Sequence, residues 1–272
     1  MQAVERTYRT PYGTVHYWVN VLSKQSPWLV FLPGLTADHH LFDKQMEFFA
    51  DHWNCLTWDA PAHGSSRPFA LKFSLGDMAS YLHEILKAEG VERPILVGQS
   101  LGGYLSQVYM DRYPDIVAGF VSIDSSPLSR KYYTKWELAM LKNTKWMYLS
   151  IPWKLLIQWG SRGTAESEYG RSLMKQTIES YEKREYCELT GYGFRIVAKA
   201  VEDREAYPIS CPVQLICGEK DGAGSVKSYN RRWEKEEGYP ICWIPNAGHN
   251  SNTDAPELVN QMIEAFGKRI PL

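Results

Sequence analysis

No stretch of this 272-residue chain stays apolar long enough to cross a membrane, and neither sign of charge predominates: 30 basic side chains stand against 31 acidic ones, a formal net charge of −1. A spanning helix needs about 20 consecutive apolar residues, so no membrane insertion is expected. The missing basic excess argues against nucleic acid or an anionic bilayer as partner. Cysteine is scarce and unpatterned. Cys55, Cys187, Cys211, Cys217 and Cys242 are odd in number, widely spaced and form no C-x-x-C pair, which excludes a disulfide framework and points to a reducing, cytoplasmic compartment. The first ten residues carry Glu5, Arg6 and Arg9 with no apolar h-region, so no secretory signal is expected. H-E-x-x-H, a Cys/His cluster, G-x-G-x-x-G and a P-loop are all missing, and no metal or nucleotide cofactor is expected.

What is present is a rhythm of strands and helices. Residues 2–9 and 13–19 read as an edge hairpin turning at Pro11-Tyr12-Gly13. Trp28 to Leu32 is continuously apolar, as in a strand covered on both faces. Asn54–Trp58, Ile95–Gly98, Val117–Ile123, Val213–Cys217 and Ile241–Ile244 are further strand candidates. Helices are expected between them, for example from Ser74 and Asp77, which make an N-terminal signal, to Ala88. This alternation specifies βαβ units and a mostly parallel sheet. It breaks at 128–206, which reads as several helices inserted between two strands. Seven of the 28 residues from Tyr132 to Trp159 are Trp or Tyr, against 13% aromatic for the chain. They are expected to form mostly the core of that insertion, with one or two facing a pocket.

The sharpest local signal is Gly98-Gln99-Ser100-Leu101-Gly102, between a short apolar strand and a helical pattern of Tyr104, Leu105, Val108 and Tyr109. Glycines two residues either side of a serine fit a strand-to-helix turn too sharp for a Cβ at those positions, with the hydroxyl lifted to its apex. A serine needs a base, and the base needs an orienting group. His249 lies in a loop just past one late strand and Asp221 in the loop past the strand before it. Loops at the carboxyl ends of parallel strands open on one sheet edge. Asp124 also ends a strand and competes with Asp221 for the acid position. Among the other histidines, His16 is unassigned, His83 is expected on a helix surface, His52 at a helix end and His63 as a turn brace; His39 and His40 are expected in solvent, with the mouth of the pocket as the alternative. Asp59 is expected to be a structural turn residue.

With that elbow and the order Ser100, Asp221, His249, the whole chain resembles a small capped member of the α/β-hydrolase superfamily. Asp59-Ala60-Pro61-Ala62-His63-Gly64-Ser65-Ser66 is similar to the family's D-x-P-G-H-G-x-S turn, with Ala62 where Gly is usual. Pro33-Gly34-Leu35 resembles its oxyanion loop, with Pro33 in place of the usual His. The resemblance implies an α/β core of residues 1–127 and 207–272 and a helical cap of residues 128–206. It implies Ser100 as nucleophile, His249 as base, Asp221 as acid, and the backbone N–H groups of Leu35 and Leu101 as oxyanion donors. The expected activity is hydrolysis of a carboxylic ester, thioester or lactone with an apolar acyl part, through an acyl-enzyme and without a cofactor. The alternatives are carbon–carbon bond hydrolysis or a lyase reaction on the same triad, or a ligand-binding receptor. A Ser nucleophile argues against the dehalogenases and epoxide hydrolases of this fold, which use Asp. The expected partner is a small apolar acyl substrate, and the expected state a monomer or homodimer.

Overall fold

The computed structural model describes residues 3–205 and 208–271. Residues 1, 2, 206, 207 and 272 lie outside it, which takes in the first residue of the expected hairpin and the 206/207 edge of the expected insertion. Eight strands form one sheet among the described residues: β1 (Val4–Thr10), β2 (Gly13–Asn20), β3 (Trp28–Leu32), β4 (Asn54–Trp58), β5 (Ile95–Gln99), β6 (Gly119–Ile123), β7 (Val213–Gly218) and β8 (Ile241–Ile244). Their spatial order is β1-β2-β4-β3-β5-β6-β7-β8. β2 pairs antiparallel with both β1 and β4, and the other neighbours run parallel. β1 is one of the two edges, and Glu5, Arg6, Thr7 and Arg9 keep it polar, which discourages pairing with another chain.

The central strands are buried on both faces, and their side chains divide by alternation. Leu29, Phe31, Ile95, Val97, Val121, Ile123 and Ile216 pack on one side with α1 (Asp43–Phe49) and the last helix. Val30, Leu32, Leu96, Phe120 and Leu215 pack on the other, beneath α2 (Leu75–Ala88) and α3 (Leu101–Arg112). Full burial of each such side chain contributes about 1.5–3 kcal/mol. Ser74 and Asp77 cap α2 reciprocally, as their spacing predicts.

Between β6 and β7 the described residues form only helices: α4 (Lys135–Lys142), α5 (Thr144–Ser150), α6 (Trp153–Thr164), α7 (Glu168–Glu179) and α8 (Lys183–Glu202), with a single 3₁₀ turn before them. After β7 follow α9 (Val226–Glu237), α10 (Ser251–Asp254) and α11 (Pro256–Gly267). The aromatic residues of this insertion depart from expectation. Tyr132 and Tyr133 are buried, but Trp136, Trp146 and Trp159 are 71%, 72% and 55% exposed. The α8 helix, carrying Tyr186, Leu189, Val197 and Val201, supplies the buried face against which α4 and α5 pack, and α6 packs against α7. That leaves the opposite sides of α4, α5 and α6 in solvent.

Chain direction reverses across the sheet at β3, because the chain moves outward from β3 to β4 and then returns to place β5 on its other side. A crevice opens there at the carboxyl ends of the strands, the position where open α/β sheets bind ligands. Leu35 follows β3 and Ser100 follows β5, so both reach its rim.

Candidate active site

Ser100 occupies the first residue past β5 with φ 48° and ψ −112°, a left-handed backbone that a non-glycine residue adopts only under constraint. The constraint is steric and local. A Cβ on Gly98 would overlap the backbone of Gly102 and Gly103, and one on Gly102 would overlap the Leu32 carbonyl oxygen. The turn is also pinned from β6: the Ser100 N–H donates to the Ile123 carbonyl at 3.0 Å, and the Ser125 hydroxyl donates to the Ser100 carbonyl at 2.7 Å.

The three residues expected to act together are within hydrogen-bond reach. The Ser100 hydroxyl lies 3.0 Å from His249 Nε2, and His249 Nδ1 lies 2.9 Å from Asp221 Oδ2. Asp221 is buried, and its second oxygen accepts the Ala223 N–H at 2.8 Å. With Nδ1–H donating to the carboxylate, Nε2 is left as acceptor for the serine proton. Burial alone would lower the imidazole pKa. The Asp221 charge and hydrogen bond, helped by the Asp124 charge, outweigh it and leave the pKa above its ordinary 6.5.

Asp124 does not bond to the imidazole. Its two oxygens accept the Gly218 N–H at 2.7 Å and the Ser251 N–H at 2.9 Å, tying the ends of β6 and β7 to α10. Burial, with the Asp221 charge adding to it, pushes its pKa up to about 7 against the pull of His249 and those amides. Asp124, Cys217 and Asp221 crowd their potential ligand atoms together. The carboxylate oxygens are already committed to amides and to His249, and burial holds the Cys217 thiol far above its usual range. The cluster therefore reads as packing behind the acid.

Several supports carry no motif. Gln99, buried beside the serine, donates from Nε2 to the His249 carbonyl at 2.8 Å and to Asn250 Oδ1 at 3.1 Å, fastening the histidine loop to the elbow strand. A Cβ on Gly34 would strike Gln99 Oε1, so a larger residue there would have to push the Gln99 amide aside. Asp254 accepts the Gly248 N–H at 2.7 Å and the Glu166 and Ser167 N–H groups, and Asn250 N–H donates to the Thr164 carbonyl at 2.7 Å. The histidine loop thus hangs on the end of α6. The only sequence hint was the position of Gln99 next to Ser100. Pro33 cannot brace the Leu35 loop as a histidine would, and Tyr181 from the insertion reaches the Thr36 carbonyl at 3.3 Å instead.

Among the described residues no acceptor in the fold takes the N–H of Leu35 or Leu101. Leu35, Thr36, Ser100, His249, Tyr186 and Ile178 are among the walls of a cavity of about 50 Å³ at the serine; Gly160, Thr164 and Met174 complete its side toward the insertion. The pocket-facing aromatic is Tyr186, outside the 132–159 cluster from which one was expected. A larger cleft of about 600 Å³ lies at the amino ends of β3, β4 and β5, among residues 21–28, Asn54 and 89–93, away from this chemistry. His39 is not in solvent: it stacks on Trp18 at 3.5 Å and bonds to Asp59. His83 is half-buried, stacked on Tyr113. His63 braces its turn as expected, with Nδ1 on the Pro61 carbonyl, and burial lowers its pKa to about 4. Asp59 accepts the His39 and Ser65 amides and is structural.

A parallel sheet whose serine, histidine and aspartate leave it from three different strand ends places this chain among the hydrolytic enzymes of α/β architecture. It belongs to the alpha/beta hydrolase fold family, whose pattern matches residues 27–256. The chain is 30% identical to the 2-(acetamidomethylene)succinate hydrolase of Mesorhizobium japonicum over 91% of each chain. It is 23% identical to the pimeloyl-[acyl-carrier protein] methyl ester esterase of Yersinia enterocolitica, covering 93% of this chain and 97% of that one. The solved esterase of Thermogutta terrifontis superposes with a TM-score of 0.77 over 99% of both chains at 18% identity, a likeness of fold.

Proposed function

We propose that the protein hydrolyses a carboxylic ester with a small uncharged acyl part, by attack of Ser100 and an acyl-enzyme intermediate. The carrying observation is the continuous relay from Ser100 Oγ through His249 to Asp221, with spacings of 3.0 and 2.9 Å. His249 takes the serine proton during attack and returns it to the leaving alkoxide. Asp221 fixes the tautomer and stabilises the imidazolium. The free N–H groups of Leu35 and Leu101 are the donors for the developing oxyanion, each contributing on the order of 10²–10³-fold in rate. Water, activated by the same histidine, then cleaves the acyl-enzyme.

The acyl reading rests on the pocket walls. Apart from His249, the lining residues carry no ionisable group of the Lys, Arg, Asp or Glu type. A site for a substrate with free carboxylates, such as the succinate named for the Mesorhizobium relative, needs a cation to offset their desolvation. An ester, as named for the Yersinia relative, needs none. Residues 128–206 are proposed as a cap over a core of 1–127 and 207–272, since Gly160, Thr164, Met174, Ile178 and Tyr186 close the cavity from that side. Exclusion of water would strengthen the electrostatics of the relay.

The test is a fluorophosphonate probe combined with p-nitrophenyl acetate turnover. Wild type is expected to be labelled at Ser100 and to hydrolyse the ester, and Ser100→Ala is expected to lose both. Label on another residue, or an active Ser100→Ala protein, overturns the mechanism.

A further inference from the structure

Three short helices of the insertion carry large apolar side chains in solvent, among them the exposed tryptophans Trp136, Trp146 and Trp159. Trp136 and Met140 lie four residues apart on α4, and Leu155 and Trp159 four apart on α6, so each pair shares one helix face. Trp146 and Met147 project from α5 between them in sequence. All six are at least 38% exposed, and three are tryptophans. An exposed tryptophan leaves a large apolar ring in water, a cost a soluble face ordinarily avoids.

Charge in the same stretch is strongly asymmetric. Between Arg130 and Thr164 seven side chains are basic and one, Glu137, is acidic. Glu137 is turned inward, accepting the Tyr229 hydroxyl at 2.5 Å and the Ser225 hydroxyl at 3.0 Å. Lys131, Lys142 and Lys145 are paired with acids of α8 and α9. Lys135, Lys154 and Arg162 are exposed and meet no carboxylate among the described residues. Each sits one to three residues from an exposed Trp or Leu. The whole-chain charge of −1 averages this stretch against an acidic remainder.

We infer that the exposed sides of these three helices together dock on the surface of an anionic phospholipid bilayer. Indole rings settle at the headgroup level, and lysine stems lie along apolar surface while their ammonium groups reach the phosphates. An interfacial helix with basic residues flanking Trp and Leu has this composition. The apolar side chains are spread over three short helices with lysines between them. Separate rings of that kind insert singly into soft headgroups. A second copy of the chain would bring two basic faces together across a two-fold axis, which like-charge repulsion opposes. The contact is peripheral, and no helix among the described residues is long and apolar enough to cross a membrane.

The test is co-sedimentation of the full chain with vesicles of phosphatidylcholine alone and of phosphatidylcholine mixed with phosphatidylglycerol, alongside tryptophan emission. The expected result is sedimentation with the anionic vesicles only, a blue shift of emission, and weakening as salt is raised. The triple variant Trp136→Ser, Trp146→Ser and Trp159→Ser is expected to lose sedimentation while keeping its far-UV circular dichroism. Because that variant removes buried edges as well as exposed rings, a second one, Lys135→Glu, Lys154→Glu and Arg162→Glu, leaves every ring in place. It is expected to lose the preference for anionic vesicles. Wild type that stays in solution with both vesicles, or a lysine variant that binds as wild type does, overturns the inference. So does a sedimentation-velocity dimer that the tryptophan variant loses, which assigns the face to a second copy. None of these readouts depends on turnover at Ser100.

Discussion

At the scale of single residues, two buried aspartates within a few ångströms of each other hold different bonds. Asp221 bonds to the imidazole, while Asp124 spends both oxygens on backbone amides. Asp221→Asn is therefore expected to lower kcat on the order of 10⁴-fold, because the amide no longer selects the acceptor tautomer at Nε2. Asp124→Asn is expected to lower the unfolding free energy by ~1–3 kcal/mol, since its NH₂ faces one of the two amides. It should retain most of the turnover. Steady-state kinetics and urea unfolding of both variants separate the roles. The raised pKa of His249 has a pH consequence with a definite sign. In the proposed mechanism His249 must be neutral to take the serine proton, so activity is expected above its pKa and lost as pH falls through it. The acid limb of kcat/KM is expected above the ordinary 6.5, and the residual activity of Asp221→Asn should show that limb shifted down. An unmoved limb would detach the pH profile from this pair.

At the scale of elements, the position of Ser100, the proposed nucleophile, depends on contact between two backbones. The β5–α3 turn lets α3 approach β3 so closely that Gly102 touches the Leu32 carbonyl. Gly102→Ala cannot be relieved by a rotamer change, because the clash is with backbone, and it is expected to displace the start of α3 from the sheet. Overpacking of this kind costs ~1–3 kcal/mol. The N–H of Leu101 would move with the helix, so loss of turnover is expected to exceed what the loss of folded protein explains. A Gly102→Ala protein with wild-type specific activity would show the turn to be softer than its contacts imply. Gln99 works at the same scale, joining the β5 end to the histidine loop across the crevice.

At the scale of the whole molecule, the helical insertion and the sheet share one cavity. Ile178 from α7 and Tyr186 from α8 face Leu35 and Ser100 from the sheet side. The proposed acyl preference is set where the two layers meet. Ile178→Ala is expected to enlarge that space and to shift the best substrate in a p-nitrophenyl ester series toward longer acyl chains. A preference unchanged from wild type would mean that the acyl group lies elsewhere. The insertion also carries the histidine loop, through Asp254 on the amides of Glu166 and Ser167. Movement of α6 would be felt at His249.

Most of the sheet was legible in the sequence, because its strands are short runs rich in apolar or β-branched residues bounded by turn residues. Trp28–Leu32, continuously apolar and buried on both faces, and the less uniform Asn54–Trp58 and Ile241–Ile244 have the bounds their composition predicts. The elbow was legible for a partly local reason: Gly98 answers to Gly102 and Gly103 a few residues on, whereas Gly102 answers to the Leu32 carbonyl of a neighbouring strand. Asp221 and His249 could be proposed from strand order alone, but the division of labour between Asp221 and Asp124 could not. Both end strands on the same edge, and only the approach of the histidine loop selects one. The clasp at Gln99, the Tyr181 brace and the solvent face of Trp136, Trp146 and Trp159 were equally closed to a linear reading. An aromatic helix looks the same in sequence whether its stripe meets a neighbour or water, and which it meets is decided by packing against residues far along the chain.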